Sequence, residues 1–123
     1  MIRGLGLDTV KVERFASLSP QTLDRLFTSG ERDWCEAAQG LVRLQRFAAR
    51  FAAKEAVAKA LGTGISGGIT WQDISVVHDG HGKPEALVVG KARERMDELG
   101  ITHVHLSLTH EREYASAVAI LES

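Results

Sequence analysis

The stretch RFAARFAAKEAVAKALGTG, from Arg46 to Gly64, constrains this chain more than any other. Its alanines favour helix, and its larger side chains recur at helical spacing. Phe51, Glu55 and Lys59 stand at i, i+4 and i+8 and so share a face. Arg50 and Lys54 fall on the neighbouring stripe. One carboxylate is thus surrounded by three cations, on a surface whose small residues let other groups come close. Such a surface suits a polyanion with a bound cation. It equally suits a solvated helix, since a Glu followed four residues later by Lys is common and contributes only about 0.2–0.5 kcal/mol.

The other segments arrange themselves around this helix. Residues 2–8 alternate and end on Asp8, which reads as a short strand with an acid at a strand-to-helix junction. An Asp there caps the following helix or, in the functional reading, ligates a metal at the sheet edge. Val10 to Leu18 reads as a short helix. Ser19-Pro20 is a helix start signal for Gln21–Phe27. Ser29 is the expected N-cap of a helix from Glu31 to about Gln39, buried through Trp34 and Ala38 and closed by Gly40. The central helix is expected to begin near Val42.

Gly62, Gly64, Gly67 and Gly68 follow it, in the position of C-caps and loops. A phosphate-binding loop needs its glycines before a helix with a terminal Lys-Ser/Thr, and that order is absent. Residues 71–77 and 83–89 read as a strand pair around the turn Asp79-Gly80-His81-Gly82. Lys91 to Leu99 is an amphipathic helix with Ala92, Met96 and Leu99 inward. His103 to Thr109 alternates strictly, with Val104, Leu106 and Leu108 on the buried face. After a turn at residues 110–113, Tyr114 to Leu121 is hydrophobic and central. Five strands and five helices, with two consecutive antiparallel pairs, predict an α+β fold in one domain spanning residues 1–123.

Composition narrows the function classes. Fifteen basic and sixteen acidic residues give a net charge of -1, which argues against general nucleic-acid binding. No apolar run approaches the length of a membrane span, and the run before Asp8 is too short for a signal peptide's core. The single Cys35 has no internal partner and no catalytic motif around it, so it reads as a packed thiol in a reducing compartment. The chain is expected to be cytoplasmic.

Three constellations carry possible chemistry. Asp8 and Glu55 are distant in sequence, and a fold that joins them makes a Mg²⁺ site, because Mg²⁺ is commonly held by one or two carboxylates while phosphates and waters complete its shell. Arg50, Lys54 and Lys59 would then hold the phosphates. His103 and His105 share a strand face in a zinc-like pattern, but His110 falls out of phase and no Cys supports the site; two exposed strand histidines and a turn residue is the plainer reading. Ser107 with His110 is discounted as a hydrolytic pair, because the nucleophile-elbow pattern is missing.

Gly4-Leu5-Gly6-Leu7-Asp8, Arg50-Phe51-Ala52-Ala53-Lys54-Glu55-Ala56, Lys59-Ala60-Leu61-Gly62-Thr63-Gly64, Gly82-Lys83-Pro84 and Val104-His105-Leu106-Ser107-Leu108-Thr109-His110 occur in order along the whole chain. Together they resemble the holo-(acyl-carrier-protein) synthases, the short bacterial 4'-phosphopantetheinyl transferases. The resemblance implies transfer of the phosphopantetheine arm of coenzyme A to a serine of acyl carrier protein, releasing adenosine 3',5'-bisphosphate. It implies Mg²⁺ on Asp8 and Glu55, and Lys59 on the pyrophosphate. Arg50 and His110 match positions near the 3'-phosphate, with Lys54 close enough in sequence to assist. Gly62, Gly64, Lys83, Pro84 and Thr109 complete the coenzyme site. Asp8, Glu55, Lys59 and His110 are the implied catalytic set, with Glu55, a metal-bound water and His110 all open as the general base.

The resemblance also implies a homotrimer with active sites between subunits. Arg14 matches a residue that meets the acidic helix of the carrier protein, and Arg25 is a second candidate. Two other readings use the same residues. One is a Mg²⁺-dependent nucleotide pyrophosphatase acting on coenzyme A; the other is a non-catalytic adaptor that binds carrier protein through Arg14.

Overall fold

The computed structural model describes residues 1–123. Along the chain come β1 (Ile2–Lys11), α1 (Pro20–Leu26), α2 (Ser29–Glu36), α3 (Gly40–Ala60), β2 (Ile74–His78), β3 (Pro84–Val88), α4 (Gly90–Glu98), β4 (His103–His110) and β5 (Tyr114–Glu122). Single 3-10 turns lie at Val12–Phe15 and Trp71–Asp73. The fold is α+β, with two antiparallel sheets ordered β1-β5-β4 and β2-β3. As expected, β5 is central.

Small residues decide how close the long helix comes to the larger sheet. Ala115, Ala117, Ala119 and Leu121 alternate as the buried residues of β5. On β1 the corresponding places belong to Gly4 and Gly6. A Cβ on Gly4 would be driven into the carbonyl oxygen of Ala60, and one on Gly6 into that of Ala56. The strand therefore packs backbone to backbone on α3, which only glycine permits. Asp8 follows Gly6 by two residues and so faces the same way, toward the α3 residues beside Ala56.

The bulky part of the core lies elsewhere. Phe15, Phe27, Phe47 and Phe51 form a ring cluster with centroids 4.9 to 6.1 Å apart, and Trp71 stacks on Phe51 at 4.9 Å. Each buried phenylalanine contributes about 1.5–3 kcal/mol. This cluster ties the Val12–Phe15 turn, α1 and the Trp71 turn to α3. The opposite face of the larger sheet stays uncovered: Leu5 is 66% and Leu7 64% exposed.

Several local expectations are corrected. The predicted helix at Val10–Leu18 is a four-residue 3-10 turn, because β1 stays paired with β5 as far as Lys11↔Tyr114. Asp8 is consequently inside a strand, not at a helix cap. The cap of α2 is Thr28, one residue before Ser29: its hydroxyl accepts from Glu31 N at 3.3 Å, and Glu31 Oε1 accepts from Thr28 N at 2.9 Å. That phase buries Glu31 and Cys35 and leaves Trp34 exposed. Trp71–Asp73 is a turn and not the start of a strand, because Asp73 folds back to accept from Thr70 N at 3.3 Å. The expected five helices are thus four α-helices and two 3-10 turns.

Candidate active site

The close fit of β1 on α3 brings Asp8, Glu55 and Lys59 together. Lys59 donates to Asp8 Oδ1 at 2.9 Å and to the Leu7 carbonyl at 3.2 Å. The Asp8 hydrogen bond, opposed by some desolvation, raises the Lys59 pKa above its ordinary value. Glu55 is half-buried, and burial first, then the Asp8 charge, push its carboxyl pKa up against the pull of Lys59 and Arg14. Two carboxylates that repel each other across a partly dry space are an electrostatic invitation to a divalent cation.

The donor set fits Mg²⁺. Asp8 Oδ1 has the Lys59 ammonium, but Asp8 Oδ2 and both Glu55 oxygens have no hydrogen-bond donor from the protein. Hard oxygen ligands from two carboxylates, with room left for phosphate and water, are what this ion takes. No group of three or more His, Cys, Asp or Glu side chains converges. His103 and His105 are exposed on β4, stacked at 6.3 Å with His105 tied to Glu122 at 2.9 Å, while His110 is the last residue of that strand and not part of the turn.

The three cations of α3 go separate ways. Only Lys59 meets the carboxylates. Lys54 is corrected: its side chain is 0% exposed and its ammonium lies 2.6 Å from Glu31 Oε1, so it is not free to assist at a phosphate. Glu31 Oε2 accepts from Val76 N at 2.9 Å, locking α2, α3 and β2 to one another. Burial lowers the Lys54 pKa, opposed by Glu31. In place of Lys54, Arg14 reaches the carboxylate cluster through its charge on Glu55, with its guanidinium 5.3 Å from the Phe51 ring centre.

Arg50 is 4% exposed and has no carboxylate in contact. It donates to a His78 ring nitrogen at 3.1 Å, lies 5.2 Å from the Trp34 ring centre, and leaves its Nε without a partner. Burial lowers its pKa, and burial with the Arg50 and Arg46 charges lowers that of His78. The Arg46 guanidinium lies 4.1 Å from the same Trp34 ring centre. A buried cation lacking a counter-ion is suited to an anionic ligand group. Trp34, Arg46 and His78 were not singled out from the sequence. The four-residue step from Arg46 to Arg50 was a legible signal for the second; nothing local marked the others.

Gly62 and Gly64 adopt φ of 82° and 63° and end α3, with Gly64 N bonding the Ala58 carbonyl at 3.0 Å. Gly62 lies at a cleft of about 490 Å³ with Thr63, Ser66, Lys91 and Arg95. Lys83 and Pro84 line another, of about 460 Å³, beside His103 and His105. Thr109 and His110 are exposed at the end of β4, opposite Ser116 and Ala115 of β5. Since β5 separates β4 from β1, they stand about 10 Å from the strand of Asp8. Within one chain, no hydrogen bond joins His110 to Arg50, whose side-chain partner is His78. Arg14 and Arg25 are both exposed. Cys35 is enclosed, and burial pushes its thiol pKa up to about 12, as a packed thiol requires.

Residues 4–119 match the family model of the 4'-phosphopantetheinyl transferase superfamily. The chain belongs to this superfamily. Among transferase relatives, it is 44% identical to the holo-(acyl-carrier-protein) synthase of Geotalea daltonii over 126 aligned residues, 99% of each chain. It is 43% identical to that of Koribacter versatilis, again over 99% of each. Two solved transferase structures superimpose on it. The Bacillus anthracis synthase in complex with CoA (3',5'-ADP) does so with a TM-score of 0.84 and 35% identity, covering 100% of this chain and 98% of that one. The Helicobacter pylori synthase in complex with coenzyme A does so with 0.82 and 25%, covering 96% and 99%.

Proposed function

We propose that this protein transfers the 4'-phosphopantetheine arm of coenzyme A to a serine of apo-acyl carrier protein, releasing adenosine 3',5'-bisphosphate. The observation that carries the reading is the Asp8, Glu55 and Lys59 cluster, held together by the Gly6 contact, in a chain similar along its length to synthases of this activity. Mg²⁺ on Asp8 and Glu55 supplies positive charge against the diphosphate when bound. Lys59 pairs with a diphosphate oxygen and offsets charge as the phosphorus is attacked. The serine oxygen bonds to the β-phosphorus, the bridging P–O bond breaks, and the leaving phosphate carries the electron pair away. A base of the site, Glu55 or His110, takes the serine proton.

Arg50, with its unpaired Nε beside Trp34 and His78, holds the coenzyme's 3'-phosphate. Gly62, Gly64, Lys83, Pro84, Thr109 and His110 complete the coenzyme contacts. No hydrogen bond joins His110 to Arg50 within one chain, and we place them in one site by assembly of a homotrimer with sites between subunits. The uncovered face with Leu5 and Leu7 is the surface such an assembly buries. Arg14, exposed beside the carboxylates, and Arg25, exposed on α1, receive the acidic helix of the carrier protein. No helix is long and apolar enough to cross a membrane, and we place the reaction in the cytoplasm, where Cys35 stays reduced.

The test is mass spectrometry of apo-acyl carrier protein after incubation with coenzyme A, Mg²⁺ and the enzyme. A covalent gain of the arm is expected. Free 4'-phosphopantetheine without that gain would make the protein a pyrophosphatase, and binding with no turnover an adaptor.

A further inference from the structure

The Lys59 ammonium occupies one of the two carboxylates assigned to the metal. Its bonds to Asp8 Oδ1 and to the Leu7 carbonyl hold it against the strand, while its side chain is 49% exposed and free to leave. Glu55, four residues earlier on the same helix face, receives no bond from it. We propose that Lys59 is an exchangeable counter-ion: it stands in for the divalent cation on Asp8 when the site is empty of coenzyme, and swings to the diphosphate when the cation enters. This rests on the proposed function and goes beyond it, by making occupancy by the metal and by the diphosphate two halves of one exchange.

The physical reason is charge crowding. An ammonium hydrogen-bonded to Asp8 and a divalent ion on the same carboxylate repel each other strongly in a half-buried place. Without a second anion nearby, displacing Lys59 leaves its charge unpaired, so the metal alone binds weakly. The substrate diphosphate gives the ammonium a new partner, which the four-carbon stem reaches by rotation. Metal and diphosphate then favour each other reciprocally.

Calorimetric titration with MgCl₂ alone, with no coenzyme, tests this on the whole protein. Lys59→Gln removes the charge and is expected to bind Mg²⁺ more tightly than the unsubstituted protein, by about fivefold or more, the lower end of ordinary coupling between sites. Lys59→Arg keeps the charge and is expected to retain the weak affinity. Adding Glu55→Gln to Lys59→Gln is expected to abolish the gain, which locates the ion at this pair. Thermal unfolding of each variant verifies the fold. An equal or weaker Mg²⁺ affinity in Lys59→Gln overturns the exchange while the mass gain on carrier protein still stands. No Mg²⁺ binding by any of these proteins, with or without coenzyme A, overturns the metal reading and the exchange with it.

Discussion

Lys54 Nζ lies 2.6 Å from Glu31 Oε1, with both side chains withdrawn from solvent. The pair joins α2 to α3, and the other Glu31 oxygen holds Val76 of β2. Breaking a buried pair from one side leaves the other charge stranded and costs about 3–5 kcal/mol. Lys54→Met is expected to lower unfolding stability by that amount in urea titrations. Its turnover per folded molecule is expected to stay near normal below the unfolding midpoint. A loss of turnover with stability unchanged would return Lys54 to the phosphate site.

Gly6→Ala pushes a methyl group at the Ala56 carbonyl oxygen, with backbone on both sides of the clash. The strand must lift from α3, and Asp8 must move with it. Overpacking of this kind costs about 1–3 kcal/mol or more. Calorimetric unfolding is expected to show a lowered Tm, and Mg²⁺ dependence of the transfer is expected to shift to higher concentration. A normal Tm would mean that the strand is not held at this contact.

Glu55→Gln keeps the side chain's shape and removes its charge. Transfer of the arm to carrier protein is expected to fall at least about 100-fold, the scale of losing one electrostatic contact to a transition state. Circular dichroism and thermal unfolding are expected to stay close to those of the unsubstituted protein, since Glu55 makes no hydrogen bond within it. Near-normal turnover in the mass-shift assay would remove Glu55 from the chemistry.

Arg14 is exposed and lies beside the carboxylate cluster, so it is placed to steer an acidic partner. Arg14→Glu is expected to raise KM for carrier protein about tenfold, equivalent to about 1.4 kcal/mol. Coenzyme A affinity, measured by titration without carrier protein, is expected to change less than about twofold, or about 0.4 kcal/mol. Equal loss of both would place Arg14 in the coenzyme site.

Glu36 bridges α2 and α3 by accepting from Arg43 at 2.8 and 2.9 Å and from Arg32 at 3.3 Å. The Arg43 hydrogen bonds, helped by Arg32, hold its carboxyl below the ordinary 4.5. Its folded form therefore binds protons less readily than its unfolded form. The stability it contributes is present above pH 4.5 and is lost as pH falls through the lower, folded value. Unfolding free energies of the protein and of Glu36→Gln are expected to differ at pH 7 and to converge below pH 4.5. A gap that is constant with pH would show that the contribution is not the carboxylate's charge.

Much of the fold was legible because periodicity records which face of an element is buried. The strict alternation of His103 to Thr109, the largely apolar run after Tyr114 and the alanine-rich helix all became the elements expected of them. The start of α2 was misplaced by one residue although Thr28 and Glu31 stand at capping-box spacing. Ser29 offered an equally good cap to the eye. The choice was made by burial of Glu31 on Lys54, which involves a helix 23 residues away.

The sequence by itself determined the long helix, its order among the strands, and the identity of two acids and a lysine suited to a metal and a phosphate. Tertiary structure decided which charges meet. β1 covers the stripe of Glu55 and Lys59 and brings Asp8 to them, whereas α2 and β2 cover the stripe of Arg50 and Lys54 and bring Glu31 and His78. Helical spacing states which side chains share a face, but their partners come from whatever packs opposite, and that is settled only when distant segments close on one another.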